Sequence, residues 1–278
     1  MPNKAELPVH LARVDAKAEQ ARRDVEAARQ QLAQAERLTA FWDDLAEHLR
    51  GKHPASVLLV LKKEEGHVRA LSHVGDPMVA TLDEIRAGAE ARAQEAMATF
   101  GRDFPDAVRQ VGLQIDSTSR HPRYTFKQGF VRVEVDERDL TAKVSSRDGV
   151  DIVIGMDVGP LVETLQHETV RIFDRKLDAD TFVRRLYTAY SATLRAEGRP
   201  ENEEVPLRRV MHRMAKNLNH FAGDEFNVDM AELVKSGNST VDGLRMHLNH
   251  TRNTRLGVLL YGLESGGYVG FISFKKEG

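Results

Sequence analysis

The side chains best suited to bind phosphate lie on one predicted helix in the C-terminal half of the chain. Residues 205–226 read VPLRRVMHRMAKNLNHFAGDEF, and their apolar positions recur every three or four residues, as in an amphipathic helix. The polar face carries the basic helix stripe, which consists of Arg209, Arg213, Lys216 and His220. Such a row of cations suits contact with a nucleic-acid backbone, and the alternative is a solvated or protein-facing helix surface.

A second basic cluster follows in RMHLNHTRNTR, which we predict to lie on a further helix from Val241 to about Arg252. If the two helices lie side by side, this cluster and the basic helix stripe form one patch for a phosphate backbone. The cluster consists of Arg245, Arg252 and Arg255, with His247 and His250.

A third basic group flanks Pro122 in SRHPRYTF, residues 119–126. Arg120 and Arg123 lie there beside His121 and Tyr124, just before the first predicted strand. The segment is either a recognition loop or a plain junction between domains.

Eleven histidines invite a search for a metal site, but their spacing does not support one. HETVR, residues 167–171, begins like the zinc motif HExxH, yet Arg171 occupies the position of the second histidine. His247 and His250 would need a third ligand from elsewhere in the chain. We therefore predict no metal site and no cofactor.

Catalytic motifs are also missing from the sequence. Glu134, Asp136 and Lys143 lack the carboxylate-x-lysine spacing of a metal-dependent nuclease, and the chain has no nucleophile elbow, phosphate loop or dinucleotide fingerprint. A non-catalytic protein is favoured. The alternative is an enzyme acting on nucleic acid or nucleotides through residues of the C-terminal helices, namely His220, His247, His250 and Arg252.

The composition is that of a soluble protein with no overall attraction to polyanions. The net charge is −2 over 278 residues, 41% of them hydrophobic and 29% charged, so any nucleic-acid contact must come from a local patch. The absence of cysteine fits a reducing cytoplasm and rules out thiolate metal sites. VLLVL at 57–61 is the longest aliphatic run, too short to cross a membrane. We predict a cytoplasmic location and no membrane contact.

The element with the strongest pattern is a long helix from Leu11 to Leu49. Apolar and small residues alternate in steps of three and four for more than five heptads, without an internal Gly or Pro, which indicates a coiled coil. We call these positions the alanine-rich seam. It consists of Leu11, Val14, Ala18, Ala21, Val25, Ala28, Leu32, Ala35, Thr39, Trp42, Ala46 and Leu49.

Ala21, Ala28 and Ala35 occupy the same position of three successive heptads, which requires a partner helix that approaches closely, because voids lose packing contacts. Residues 81–100, TLDEIRAGAEARAQEAMATF, form a second alanine-rich helix that could pack against it as a hairpin in the same chain. Pairing with another chain is the alternative. Between the two helices, residues 51–77 read either as a short β-hairpin or as further helix.

After these helices the hydrophobic period changes to two, which is typical of strands with one buried face. Residues 130–136, 140–145 and 150–156 predict an antiparallel meander. Helices over 159–175 and 178–198 follow, then the basic helix, a short helix at 229–234, and a C-terminal β-hairpin around residues 264–267. The fold class is therefore α+β, with a helical coiled-coil region at 1–105 and an α+β domain at 106–278.

Taken together, these patterns predict a non-catalytic assembly or adaptor subunit. Residues 11–49 would mediate self-association or bind a partner protein, and the basic surface of the C-terminal domain would contact a partner or nucleic acid.

Overall fold

The α+β class is confirmed by a computed structural model, which describes residues 6–237 and 239–276. Eight α-helices and eight strands lie in these ranges, and the strands form two antiparallel sheets. The chain divides into two compact units, 1–93 and 94–278. The predicted boundary after residue 105 falls inside a helix, and the ends of both predicted regions (1–5 and 277–278) lie outside the described residues.

The first unit is helical. Helix α1 (Glu6–Gly51) is followed by α2 (Pro54–Lys63), α3 (Glu65–His73) and the start of α4 (Met78–Gln110). Residues 51–77, which the sequence left open between hairpin and helix, therefore form two short helices. A small apolar cluster joins the end of α1 to the other three helices, with Phe41, Leu45, Leu61 and Leu82 at its centre.

The second unit begins in α4, which extends ten residues beyond the predicted end at Phe100. The helix continues through Pro105 because Phe100, Phe104 and Val108 recur on one face and are buried. Tyr124 of the first sheet packs edge-on against Phe104, with ring centroids 4.9 Å apart.

The first sheet has the strand order β1-β2-β3-β4, a meander of β1 (Arg123–Phe126), β2 (Val131–Asp136), β3 (Thr141–Ser146) and β4 (Ile152–Gly155). The predicted meander is confirmed, and β1 is an additional strand at its edge. Residues of β2 alternate between buried and more exposed, as the period of two indicated.

Helices α5 (Val158–Phe173), α6 (Ala179–Glu197), α7 (Leu207–Asn217) and α8 (Gly223–Ser236) pack in the same unit. Helix α6 begins where the Asp178 carboxylate accepts a hydrogen bond from the Thr181 amide, and it ends at Gly198 in the left-handed conformation. The basic helix is shorter than predicted, because residues 218–222 leave the helix before α8 begins. The predicted short helix at 229–234 is the second half of α8.

The second sheet has the order β5-β8-β7-β6, with β5 (Val205–Pro206), β6 (Thr240–Val241), β7 (Leu244–Thr251) and β8 (Tyr268–Lys276). The helix predicted from Val241 to about Arg252 is wrong, since β7 occupies that stretch. A C-terminal β-hairpin is present, but its first strand is β7 and not the segment just before residues 264–267, which contributes only an isolated bridge between Val258 and Val269. The long connection between β7 and β8 includes a 3₁₀ turn, Glu264–Gly266. Strand β8 lies inside the sheet, between β5 and β7.

No described helix has the length and apolar character needed to span a membrane.

Candidate functional site

The outer part of α1 is a long helix with almost no cover from the described part of the chain. Every residue from 10 to 37 is exposed except Ala18, which is half-buried. Leu11, Val14, Val25 and Leu32 of the alanine-rich seam expose 62%, 63%, 52% and 60% of their surface. Residues 81–100 share an apolar cluster only with the last turns of α1, so the predicted hairpin leaves most of the seam bare.

Where α1 does pack, its most buried residues lie beside the seam, and Trp42 is the seam residue that also packs against the apolar cluster. Phe41 and Leu45 are each only 3% exposed, whereas the seam residues Trp42 and Ala46 are half-buried and Leu49 is 41% exposed. Trp42 follows Phe41, Ala46 follows Leu45, and Leu49 follows His48. Consecutive residues of a helix are rotated by about 100°, so each seam residue points about 100° away from the residue before it. The packing of the first unit thus leaves the seam exposed over residues 10–37, apart from the half-buried Ala18, and covers part of it only near the end of α1.

The basic helix stripe is divided by the end of α7 at Asn217. Arg209 and Arg213 lie on α7 with Lys216, but His220 lies beyond the helix and off the predicted row. Arg209 forms an ion pair with Glu197 at the end of α6, which neutralises it. In the parts of the chain that the structure describes, Arg213 and Lys216 have no ion-pair partner, so two cations of the stripe stay available.

The second basic cluster lies on a strand and not on a helix. Arg245 and His247 of β7 alternate with Met246, which belongs to the apolar cluster on the side of the sheet that α7 covers. Because successive side chains of a strand point to opposite faces, Arg245 and His247 face away from α7. His250 follows a β-bulge in β7. The remaining two arginines, Arg252 and Arg255, are exposed beyond the strand.

The predicted single basic patch is therefore wrong. It required two adjacent helices, whereas a sheet separates Arg213 and Lys216 from the cations of β7. The sequence pattern misled because Val241, Leu244 and Leu248 have the spacing of one helix face, whereas Leu244, Met246 and Leu248 alternate as in a strand.

The third basic group is bound to the first sheet. Arg123 opens β1 and lies 3.6 Å from a carboxylate oxygen of Glu134 on β2. The ring of His121 contacts Tyr124 through Nδ1 (3.1 Å to the hydroxyl) and Glu137 through Nε2 (2.7 Å). Arg120 faces Arg123 across an isolated β-bridge. These ties to the sheet make residues 119–126 part of the first sheet and not a free loop.

A charged network that the sequence did not single out lies between α5 and α8. The Arg171 guanidinium donates hydrogen bonds to Glu168 (2.6 Å), Asp224 (2.5 Å) and Glu225 (2.7 Å). Asp224, 1% exposed, also accepts from the Ser146 hydroxyl at 2.6 Å. One cation thus links three carboxylates and ties helices α5 and α8 to strand β3. No motif spacing connects residues 146, 171 and 224, so only the fold brings them together.

The pKa values of Asp224, in this network, and of Asp229, one turn further along α8, are shifted in opposite directions. Burial by itself would raise the pKa of Asp224, but hydrogen bonds from Arg171 and Ser146 outweigh burial and hold that pKa below its ordinary value. Burial raises the pKa of Asp229, which Arg175 pairs only from one side. A lowered pKa keeps Asp224 ionised and paired, which suits a structural ion pair.

A cleft of about 510 Å³ lies over this network. Its walls are mostly apolar, including Ile152, Met211 and Phe221, and His212 lies at its edge. The cations that reach it are already paired: Arg171 with the network, and Arg208 with Asp148 at 3.1 Å. The cleft therefore offers neither a free cation for an anionic substrate nor, within the described residues, a group of side chains that could hold a metal ion.

No protein-family model, no curated protein and no solved structure matches this chain.

Proposed function

We propose that this protein is a non-catalytic assembly subunit whose helix α1 joins it to another helix. The observation that carries the proposal is the alanine-rich seam, with four large apolar residues more than half exposed over residues 10–37. Exposed rows of apolar side chains on a helix are costly in water and are stabilised when a second helix covers them. We further expect a cytoplasmic location, in keeping with a chain that lacks cysteine.

The rest of the first unit supports the same function. The packed side of α1 is anchored by Phe41 and Leu45, so the seam is presented from a fixed helix and not from an isolated peptide. Because half of the seam residues are alanine or threonine, a covering helix can approach closely, but it buries less apolar area per heptad than a leucine seam. We therefore expect association of moderate strength.

Nucleic-acid binding stays a weaker candidate function. Arg213 and Lys216 are available on α7, but the other predicted cations are paired or lie on another face of the second unit. Two adjacent cations contribute only a small part of the phosphate contacts that a nucleic-acid protein makes.

The test replaces apolar seam residues by acidic ones. Val25→Glu with Leu32→Glu would place two carboxylates on the seam of each chain, and we expect association to weaken at least tenfold, because burying each side chain contributes about 1.5–3 kcal/mol. Sedimentation equilibrium over a concentration series measures the change, with deletion of residues 1–36 as the full-loss reference.

A matched control adds the same charge on the opposite side of the same helix. Ala27→Glu with Gln34→Glu alters two exposed positions off the seam, and association should stay within twofold of the parent protein. The proposal is lost if deletion of residues 1–36 leaves both self-association and the binding of any identified partner unchanged.

A further inference from the structure

We infer that the occupant of the seam is a second copy of this chain, with its α1 antiparallel to the first and the two helices centred between Ala18 and Ala21. The inference rests on the proposed function, because it specifies which partner covers the seam and in which direction. It is drawn from the order of the exposed charges that flank the seam and from the order of large and small residues within it.

The charges beside the seam are complementary to themselves when the helix is reversed. Lys17 and Asp24 flank one side of the seam, and Asp15 and Arg22 flank the other. In an antiparallel pair with this centre, Lys17 lies beside Asp24 of the second copy and Asp15 lies beside Arg22 of the second copy. Two-fold symmetry gives each pair twice, so every flanking contact near the centre is attractive.

A parallel pair of the same helices lacks this complementarity. In a parallel coiled coil, the residue just before the first seam residue of a heptad contacts the residue five positions later in the partner helix. Lys17 precedes the seam residue Ala18, so it would lie beside Arg22 of the second copy. Asp24 would still meet Arg29, so attraction and repulsion cancel. The flanking charges therefore favour the antiparallel direction.

The sizes of the seam residues favour the same direction. In the antiparallel pair Leu11 packs over Ala28 of the second copy and Val14 over Val25, while Ala18 and Ala21 meet at the centre, where the helices approach most closely. A parallel pair in register would stack leucine on leucine, whereas the antiparallel pair sets Leu11 opposite Ala28; alanine meets alanine at the centre in either direction. A large residue opposite a small one fills that layer more evenly, which retains packing contacts.

The flanking side chains are exposed and can rearrange to make these contacts. Arg22 pairs with Glu19 of its own helix at 3.4 Å, and the Asp24 carboxylate accepts a hydrogen bond from Gln20 at 2.8 Å. Both contacts are at the exposed surface, where such pairs are weak and exchange readily. Nothing in the described residues of the first unit covers this stretch of α1.

Charge reversal gives results of opposite sign for the two directions. Lys17→Glu in the full chain should weaken self-association roughly three- to tenfold at low ionic strength, since two exposed ion pairs become repulsive. Asp24→Lys should weaken it similarly, and the double variant Lys17→Glu with Asp24→Lys should return to within about twofold of the parent. In a parallel pair Lys17→Glu would instead strengthen association, because glutamate would face Arg22, and that result would overturn the inference.

Cross-linking measures the direction independently, because the chain has no cysteine of its own. Leu11→Cys and Ala28→Cys are prepared as separate full-length proteins, one with a size tag, and are mixed in a glutathione buffer. The antiparallel pair predicts the mixed disulfide between positions 11 and 28. A preference for 11–11 and 28–28 disulfides would overturn the inference, as would the absence of any self-association in sedimentation equilibrium.

These results separate the inference from the proposed function. A parallel pair, or a seam that binds a different, identified helix, overturns the antiparallel dimer and leaves the assembly function standing. If deletion of residues 1–36 changes no association at all, both are lost.

Discussion

The buried ion pair between Asp224 and Arg171 offers the most direct measurement on the second unit. We predict that Asp224→Asn, which keeps the size of the side chain and removes its charge, destabilises this unit by about 3 kcal/mol. Breaking a buried ion pair costs about 3–5 kcal/mol in general, and Arg171 retains Glu168 and Glu225 as partners, so the lower end applies. The asparagine amide would also bring a donor against either Arg171 or Ser146.

The loss should appear as a shift of the unfolding temperature by about 6–12 °C, given about 2–4 °C per kcal/mol for a unit of this size. The five tyrosines all lie in the second unit, and the single tryptophan, Trp42, lies in the first. Tyrosine absorbance during urea unfolding therefore follows the second unit, while tryptophan fluorescence follows the first. The expected change is a lower midpoint in the tyrosine signal.

At acidic pH, the difference in unfolding free energy between the parent protein and the Asp224→Asn variant should become smaller. The pKa of Asp224 is lower in the folded chain than its ordinary value, so its contribution is complete above the unfolded pKa and is lost as the pH falls through the folded pKa. Asp224→Asn removes that group, and the stability of the variant should depend less on pH in this acidic range.

Asp242→Asn serves as the control, because Asp242 pairs with Arg184 at the surface, where both side chains are about 65% exposed. Its stability should stay within about 0.5 kcal/mol of the parent. If Asp224→Asn shifts the tyrosine midpoint no more than Asp242→Asn does, the network around Arg171 does not stabilise the second unit and the reasoning is refuted.

Two further predictions concern two helix glycines and the cations of α7. Gly223→Ala should destabilise the protein by about 1–3 kcal/mol, because the added methyl group would collide with the backbone carbonyl of Asp148. Gly88→Ala on α4 adds a methyl group in open space and should stabilise the protein by about 0.5–1 kcal/mol. Thermal melts of the two variants test these opposite signs. If α7 contacts nucleic acid, Arg213→Glu with Lys216→Glu should lower the affinity for a duplex in low salt far more than Arg209→Glu, because Arg209 is already paired with Glu197. Fluorescence anisotropy of a labelled duplex at several salt concentrations measures the affinities. Equal effects would contradict a role of Arg213 and Lys216 in binding.

The sequence predicted the long helices and the first sheet because their patterns are long or strictly alternating. The steps of three and four from Leu11 to Leu49 fit only a helix, and the alternation at Val131, Val133 and Val135 fits only a strand. Local periodicity is a property of the chain itself, so no tertiary contact was needed to read it.

The secondary structure of shorter segments depended on the residues that they contact in the fold. Residues 244–251 form a strand because β8 pairs with them residue by residue, although their own pattern also fitted a helix. The predicted helix at 205–226 ends early because its apolar residues beyond Asn217 pack around the start of α8. For residues 244–251, pairing with a distant strand outweighed local preference.

The sequence by itself determined that α1 carries an apolar seam with small residues, because heptad spacing is encoded locally. Only the tertiary structure decided that Phe41 and Leu45 pack inward and leave most of the seam exposed, and that residues 146, 171 and 224 meet in one ion network. Such meetings depend on the path of the backbone between distant segments, and pairwise spacing along the chain does not specify that path.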